Sequence, residues 1–171
     1  MGLGADDDTA VGSDDGLSAI PQISWTQPAT GRFRQLGQFE QLNAEAQAAC
    51  GTSTAINAAG QRSGVDFNYL LQTAIRESSL DPTAKATTST ATGLFQFLES
   101  TWLEVMKEEG PRLGYQRHAD AISVTQDGDY VIRDKGLRKD ILALREDPQI
   151  AADLAAAFTR NNGAYLHQRF G

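Results

Sequence analysis

Glu77 closes the segment Ala74-Ile75-Arg76-Glu77-Ser78-Ser79, and Gly93-Leu94-Phe95-Gln96-Phe97 follows after a run of small and hydroxylated residues. A lone carboxyl can serve as a general acid and then as a base, provided its proton affinity suits ambient pH. Projected at roughly 100° per residue, Leu70, Leu71, Ala74 and Ser78 share one direction on a helix. Glu77 falls roughly 90° from that direction, at the border of the apolar stripe, and Arg76 points the other way. Such a carboxyl stands half in the core wall and half in a cleft. It also lies in the last turn, at the negative end of the helix dipole. Poor hydration and that dipole both disfavour the charged form, so its pKa is expected to rise. A surface glutamate at a fraying helix end fits the projection alone better; the order of the surrounding pieces alters that balance.

Other chemistries find less support. Cys50 is the single cysteine, so no intrachain disulfide or cysteine metal cluster can form. A thiol nucleophile would need His118 or His167, and neither carries a motif; a buried apolar Cys is the simpler reading. No Gly-x-Ser-x-Gly, His-Glu-x-x-His, P-loop or dinucleotide fingerprint occurs. No metal ligand set and no cofactor are expected.

The chain has 171 residues, 40% hydrophobic and 22% charged, which suits one globular domain. Its net charge is −7, from 22 acidic and 15 basic residues. Five Asp lie at positions 6, 7, 8, 14 and 15, and residues 1–31 contain no Lys or Arg. The remaining 17 acids against 15 bases leave −2, so the body is nearly neutral. Residues 1–32 are expected to be an acidic, flexible extension. With no basic stripe to neutralise phosphates, nucleic acid is not expected as a partner. No apolar run has membrane-spanning length, and no signal peptide is visible.

The elements that must position Glu77 follow from periodicity. The Gln/Ala-rich stretch from Gln35 to Ala59, with Leu36, Phe39, Leu42, Ala46, Ala49 and Ile56, suits one long helix or two joined near Gly51. Asp66 is expected to cap a helix in which Phe67, Leu70, Leu71, Ala74, Ile75 and Ser78 form one face. Asp81-Pro82 is expected to stop it, and Asp81 reads as a turn-former rather than a second acid. Thr83 to Thr92 reads as a loop. A helix resumes near Ser100 or Thr101, with Thr101 and Glu104 as a capping box and Trp102, Val105 and Met106 inward. Gly110-Pro111 ends it. Residues 118–123 could form a short helix. A hairpin turns at Asp127-Gly128, and Leu137 to Leu144 suggests a further helix. Asp147-Pro148 opens the last one, with Ile150, Ala151, Leu154, Ala155 and Phe158 on one face. The fold class is mainly α with one small β-hairpin.

The order Glu77-Ser78-Ser79, Asp81-Pro82-x-Ala84, then Gly93-Leu94-Phe95-Gln96-Phe97 resembles the lytic transglycosylase family, whose catalytic domain is like goose-type lysozyme. The match is good over about residues 64–106 and looser over 107–171, as a branch with a hairpin before the last helix. The resemblance implies a lysozyme-like helical domain over 33–171 and a single catalytic acid/base, Glu77. It implies peptidoglycan glycan strands as substrate and 1,6-anhydro-N-acetylmuramic ends as product. The 2-acetamido carbonyl would stabilise the oxocarbenium-like centre, so no second carboxylate is needed, unlike two-carboxylate glycosidases. It further implies Gln96 as a substrate-binding amide, Gly93 as a close-approach turn, and Phe97 and Leu98 as lining of the sugar trough, although core packing explains the last two equally well. Thr87 or Ala86 falls near a substrate-contacting position in a loop one residue longer here. Ser78 is expected to bond helix backbone rather than substrate.

Relatives carry an Ala-Tyr-Asn-Ala-Gly-like motif after residues resembling Arg169-Phe170-Gly171, and its Tyr bonds the catalytic glutamate. Its absence suggests a chain cut short at the C-terminus, or a short form in which Tyr165 substitutes. Tyr165 as an ordinary core or surface aromatic is the simpler alternative. A hydrolytic muramidase and a non-catalytic peptidoglycan-binding or cell-envelope scaffold domain are the competing functions. The resemblance places the protein in the periplasm or cell envelope, as a monomer, with a cell-envelope protein as a possible partner.

Overall fold

A computed structural model describes residues 32–170 of the chain, with side chains from residue 40. The extension expected over residues 1–32 therefore falls almost wholly outside the described residues. One compact unit covers Phe39–Gly171; of the other, Met1–Gln38, only the opening of the first helix is described. Among the described residues the architecture is mainly α, with one two-stranded antiparallel sheet.

Helix α1 runs Arg32–Ser63 without a break. Gly51 lies inside it with open space around its Cα, so the Ala-rich flanks carry the helix across a residue that weakens it by about 1 kcal/mol. Among the side chains of α1 that the structure describes, those buried lie in its last third, Thr52, Ala55, Ile56 and Ala59 among them. Leu42, expected in the apolar face, is 60% exposed, and Ala46 and Ala49 are exposed as well.

Helix α2, Phe67–Ser78, starts as expected, with Asp66 accepting from the Tyr69 N–H at 2.9 Å. Leu70 and Ala74 are buried, but Ile75 is 42% exposed. The helix ends earlier than Asp81-Pro82 would require. Ser79 and Leu80 adopt left-handed backbone, with φ of 55° and 67°, and the Ser79 N–H donates to Ile75 O at 2.9 Å. A left-handed cap of this kind ends the helix by itself. Asp81 shapes the next turn, accepting from the backbone N–H and hydroxyl of Thr83, both at 2.8 Å.

Helix α3, Glu99–Glu109, begins two residues before Thr101, so Thr101 and Glu104 do not form a capping box. Leu98 is its N-cap and makes no side-chain cap; the Glu99 N–H reaches the Thr90 hydroxyl at 3.4 Å instead. Trp102, Val105 and Met106 are buried as expected. Helix α4, Gln116–Asp120, is followed by strands β1, Ser123–Val124, and β2, Tyr130–Val131, paired Ser123 to Val131 and Val124 to Tyr130. Gly128, at φ 89°, makes the turn between them. Helix α5, Lys135–Ala143, leads through a 3-10 turn to helix α6, Pro148–Phe170. Asp147 caps α6, accepting from the Gln149 and Ile150 N–H groups at 2.9 Å.

The alanine-rich start of α6 holds the unit together. Ala151, Ala152 and Ala156 pack with Ile56, Leu70, Ala74 and Leu94 on one side. Leu154 and Ala155 pack with Phe97, Trp102, Ile122, Ile132 and Ile141 on the other. Small side chains allow close helix approach from both directions. Trp102 is fully buried, and its ring nitrogen donates to Ile141 O at 2.9 Å.

Asp153 carries its carboxylate into this centre, where it pairs with Arg62 and accepts from the Tyr115 hydroxyl at 2.7 Å. Burial, and then the bond and charge of Asp153, push the Tyr115 phenol well above its ordinary value of 10.0. A phenol whose pKa is raised by folding stabilises fully below pH 10 and progressively less above it, because only the unfolded chain ionises there. The melting-temperature gap between wild type and Tyr115→Phe should therefore shrink between pH 9 and 11.5; a constant gap would place the stabilisation elsewhere.

Candidate active site

One face along α2 and the stretch of α6 from Ala155 to Leu166 form the two walls of a groove of about 450 Å³. From α2 come Tyr69, Thr73 and Glu77, spaced four residues apart and so aligned along one helix face. Phe95 and Phe97 supply aromatic surface between the walls. From α6 come Phe158, Thr159 and Asn162, with Gly163 and Leu166 beyond them. Glu77 is the one acidic residue among the lining side chains, at one edge of an otherwise apolar and hydroxylated surface.

Glu77 is more open to water than the helix projection predicts: its side chain is 37% exposed. Arg76 does not simply point away, because its Nε folds back to within 3.2 Å of Glu77 Oε1. Adjacent helix residues do not face one another, so the pair depends on the long guanidinium arm, itself 74% exposed. An exposed pair of this kind is weak, worth under about 1 kcal/mol, and a ligand entering the groove can displace it.

The two sequence motifs meet through Ser78. Its hydroxyl lies 3.1 Å from Ala74 O, as expected of a helix-terminal serine, and 2.8 Å from Leu94 O. The second contact fixes the turn carrying Glu77 against the Gly93–Phe97 segment. Ser78→Ala should lower stability by about 1–2 kcal/mol, since Leu94 O, on a buried residue, then lacks its donor. Chemical denaturation measures this, and an unchanged midpoint would show that the two segments do not depend on the bond.

All three non-glycine residues with left-handed backbone among the described residues, Ser79, Leu80 and Gln96, lie in these two motifs. Each such conformation costs about 1–3 kcal/mol and persists where the surroundings over-determine it. For Gln96, at φ 48°, the surroundings are its own amide. Its Nε2 donates to Ala84 O at 3.0 Å and to Gly93 O at 2.9 Å. Two carbonyl partners require the NH₂ end of the amide, and Gln96, expected to bind substrate, is not among the residues lining the groove.

The remaining residues singled out from sequence are spread around the groove. Phe97 lines it, 7% exposed, and also stacks edge-on against Trp102 at 5.3 Å, so it serves core and groove together. Gly93 is buried at φ 85°, and its open side faces the backbone of Arg145. Leu98 is 44% exposed at the head of α3, outside the lining. Thr87 is exposed in the Thr83–Thr92 loop, also outside it. Tyr165 is 58% exposed on α6, outside the lining, with its hydroxyl accepting from Arg169 at 3.4 Å; it is one turn from the lining residue Asn162 and next to Leu166.

Tyr69, Thr73, Phe95, Phe158, Thr159 and Asn162 escaped the reading from sequence. The four-residue spacing of Tyr69, Thr73 and Glu77 was a usable signal for two of them. The α6 residues had none, because only folding brings that helix alongside α2. Residues 54–127 match the family model described as Transglycosylase SLT domain, a stretch that runs from the end of α1 to the hairpin turn and contains Glu77, Gly93 and Gln96. Over those residues the chain is similar to the SLT domain of lytic transglycosylases.

Proposed function

We propose that this domain cleaves the β-1,4 bond between N-acetylmuramic acid and N-acetylglucosamine in peptidoglycan, with Glu77 as its single acid/base. Peptidoglycan-directed lytic transglycosylase activity is the common property of the family. The observation that carries the finer reading is the position of Glu77 as the sole acid of a groove walled by aromatic and hydroxylated side chains. Aromatic faces suit the apolar faces of sugar rings, and Thr73, Thr159 and Asn162 suit their hydroxyl and amide groups.

In this reading protonated Glu77 gives its proton to the bridging oxygen as the bond from C1 of the muramic residue breaks. The 2-acetamido carbonyl stabilises the cationic C1. The C6 hydroxyl oxygen of the same sugar then bonds to C1 and returns its proton to Glu77. The ring closes as a 1,6-anhydro end, no water is consumed, and the carboxyl is regenerated. Asp81 takes no part, since both bonds of its side chain go to Thr83.

Mass spectrometry of muropeptides from digested sacculi tests the product. Anhydro ends support the proposal; reducing ends from the same digest would replace it with a hydrolytic muramidase. A non-catalytic binding domain is the reading favoured by the exposure of Glu77 and by the engagement of the Gln96 amide nitrogen in its own loop. Binding to sacculi with no soluble muropeptide released would establish it. A periplasmic or cell-envelope location, a monomeric state and a cell-envelope partner belong to the same proposal.

A further inference from the structure

A second concavity, of about 680 Å³, lies apart from the Glu77 groove and shares none of its lining residues. We infer that it binds short acidic peptides through two facing sets of cations. Lys135, Arg138 and Lys139 stand at i, i+3 and i+4 on α5 and so form one ridge. Lys85 and Arg145 face them from the loop after α2 and from the 3-10 turn. Five cations against one lining carboxylate, Glu146, is an unusual local balance in a chain of net charge −7.

The site is built rather than incidental. Arg145 is 7% exposed, and its guanidinium donates to Leu142 O at 2.9 Å, Thr90 O at 2.7 Å and Phe97 O at 3.1 Å. It is thereby fixed as a permanent charge in the wall. Lys85 is held by Glu146 at 3.0 Å, and Arg138 by Glu99. Lys135 and Lys139 have no ion-pair partner among the described residues and are exposed. The concavity therefore combines placed cations with free ones.

The ligand class follows from the charge and the apolar part of the lining. Leu142 and Ala143 are the apolar side chains that line the concavity beside the cations. A ligand with carbon skeleton between its acid groups can cover that apolar surface, whereas a compact inorganic anion cannot. Carboxylate is already the partner taken by Lys85 and Arg138 within the fold. The lining contains no aromatic side chain on which a base could stack.

Calorimetric titration of the full chain with triglutamate, triglutamine and inorganic tripolyphosphate, at low salt, tests the assignment. Triglutamate should bind and triglutamine should not, and added salt should weaken the binding. Lys135→Ala/Lys139→Ala should weaken it about tenfold with the fold intact, because both side chains are exposed. Glu77→Gln should bind triglutamate as wild type does, which separates this site from the groove. No triglutamate binding, equal binding of triglutamine, an unaffected lysine double variant, or tighter binding of tripolyphosphate would each overturn the inference.

Discussion

Glu77→Gln should abolish the clearing of purified sacculi, with a loss of at least about 1,000-fold in rate, the range expected when a general acid loses its proton. The substitution keeps the size and most hydrogen-bonding capacity of the side chain, so glycan should still bind. It removes the one group in the groove lining that can protonate a bridging oxygen. Turbidity loss measures the rate, and pull-down of the variant with sacculi measures the retained binding. The side chain is 37% exposed at a helix end and its one recorded partner is Arg76, so folding should be unaffected and circular dichroism should match wild type. Asp81→Asn serves as the control. The Asp81 carboxylate bonds only Thr83 in its turn, so its neutral amide should leave clearing within about twofold, as expected of a group that makes no contact with the reacting atoms. Equal, non-zero clearing by wild type and Glu77→Gln would remove Glu77 from the reaction. A large loss in Asp81→Asn with an unaltered fold would instead indicate a second carboxylate and a two-acid mechanism.

Local rules reached the parts of this fold that local interactions decide. Asp66 and Asp147 were legible as caps because a short acidic side chain satisfies N–H groups two or three residues ahead, whatever lies beyond. Asp127-Gly128 was legible as the hairpin turn for the same reason. Trp102, Val105 and Met106 were legible as core from spacing alone. The misses share a different cause. Helix α2 stops at left-handed Ser79 and Leu80, residues that do not favour that backbone and are held there by the Ser78 bond to Leu94 O and the Asp81 turn. Helix α3 starts at Glu99 because Thr90, nine residues away, supplies an acceptor that a capping box would otherwise provide. Leu42 is apolar yet exposed, since the pattern shows a face and not whether anything covers it. The groove was half legible: Glu77 and Phe97 came from the motifs, Tyr69 and Thr73 carried only an unused spacing, and Phe158, Thr159 and Asn162 enter only through tertiary packing.

Gly93→Ala should destabilise the domain by at least about 3 kcal/mol, from two separable costs. The first is conformational. Gly93 sits at φ 85°, where an L side chain is strained by about 1–2 kcal/mol. The second is spatial. A methyl group at Gly93 would lie 2.8 Å from the carbonyl carbon of Arg145 and closer still to its oxygen. That carbonyl is backbone and cannot rotate away as a side chain would. Relief would require the 3-10 turn to withdraw, and Arg145 would then lose its guanidinium bonds to Thr90 O and Phe97 O. Gly128→Ala isolates the first cost: Gly128 has nearly the same φ, 89°, but no atom lies within 4 Å of its would-be methyl. Its loss should stay near 1–2 kcal/mol. Urea unfolding of the two variants measures the difference, and equal midpoints would mean that the turn can yield without cost. If the difference holds, the groove should suffer with the fold. Phe95 and Phe97 follow Gly93 within four residues, and the Gln96 amide donates to Gly93 O itself. Glycan binding by Gly93→Ala should therefore weaken even at temperatures where the variant remains folded, whereas Gly128→Ala should bind as wild type does.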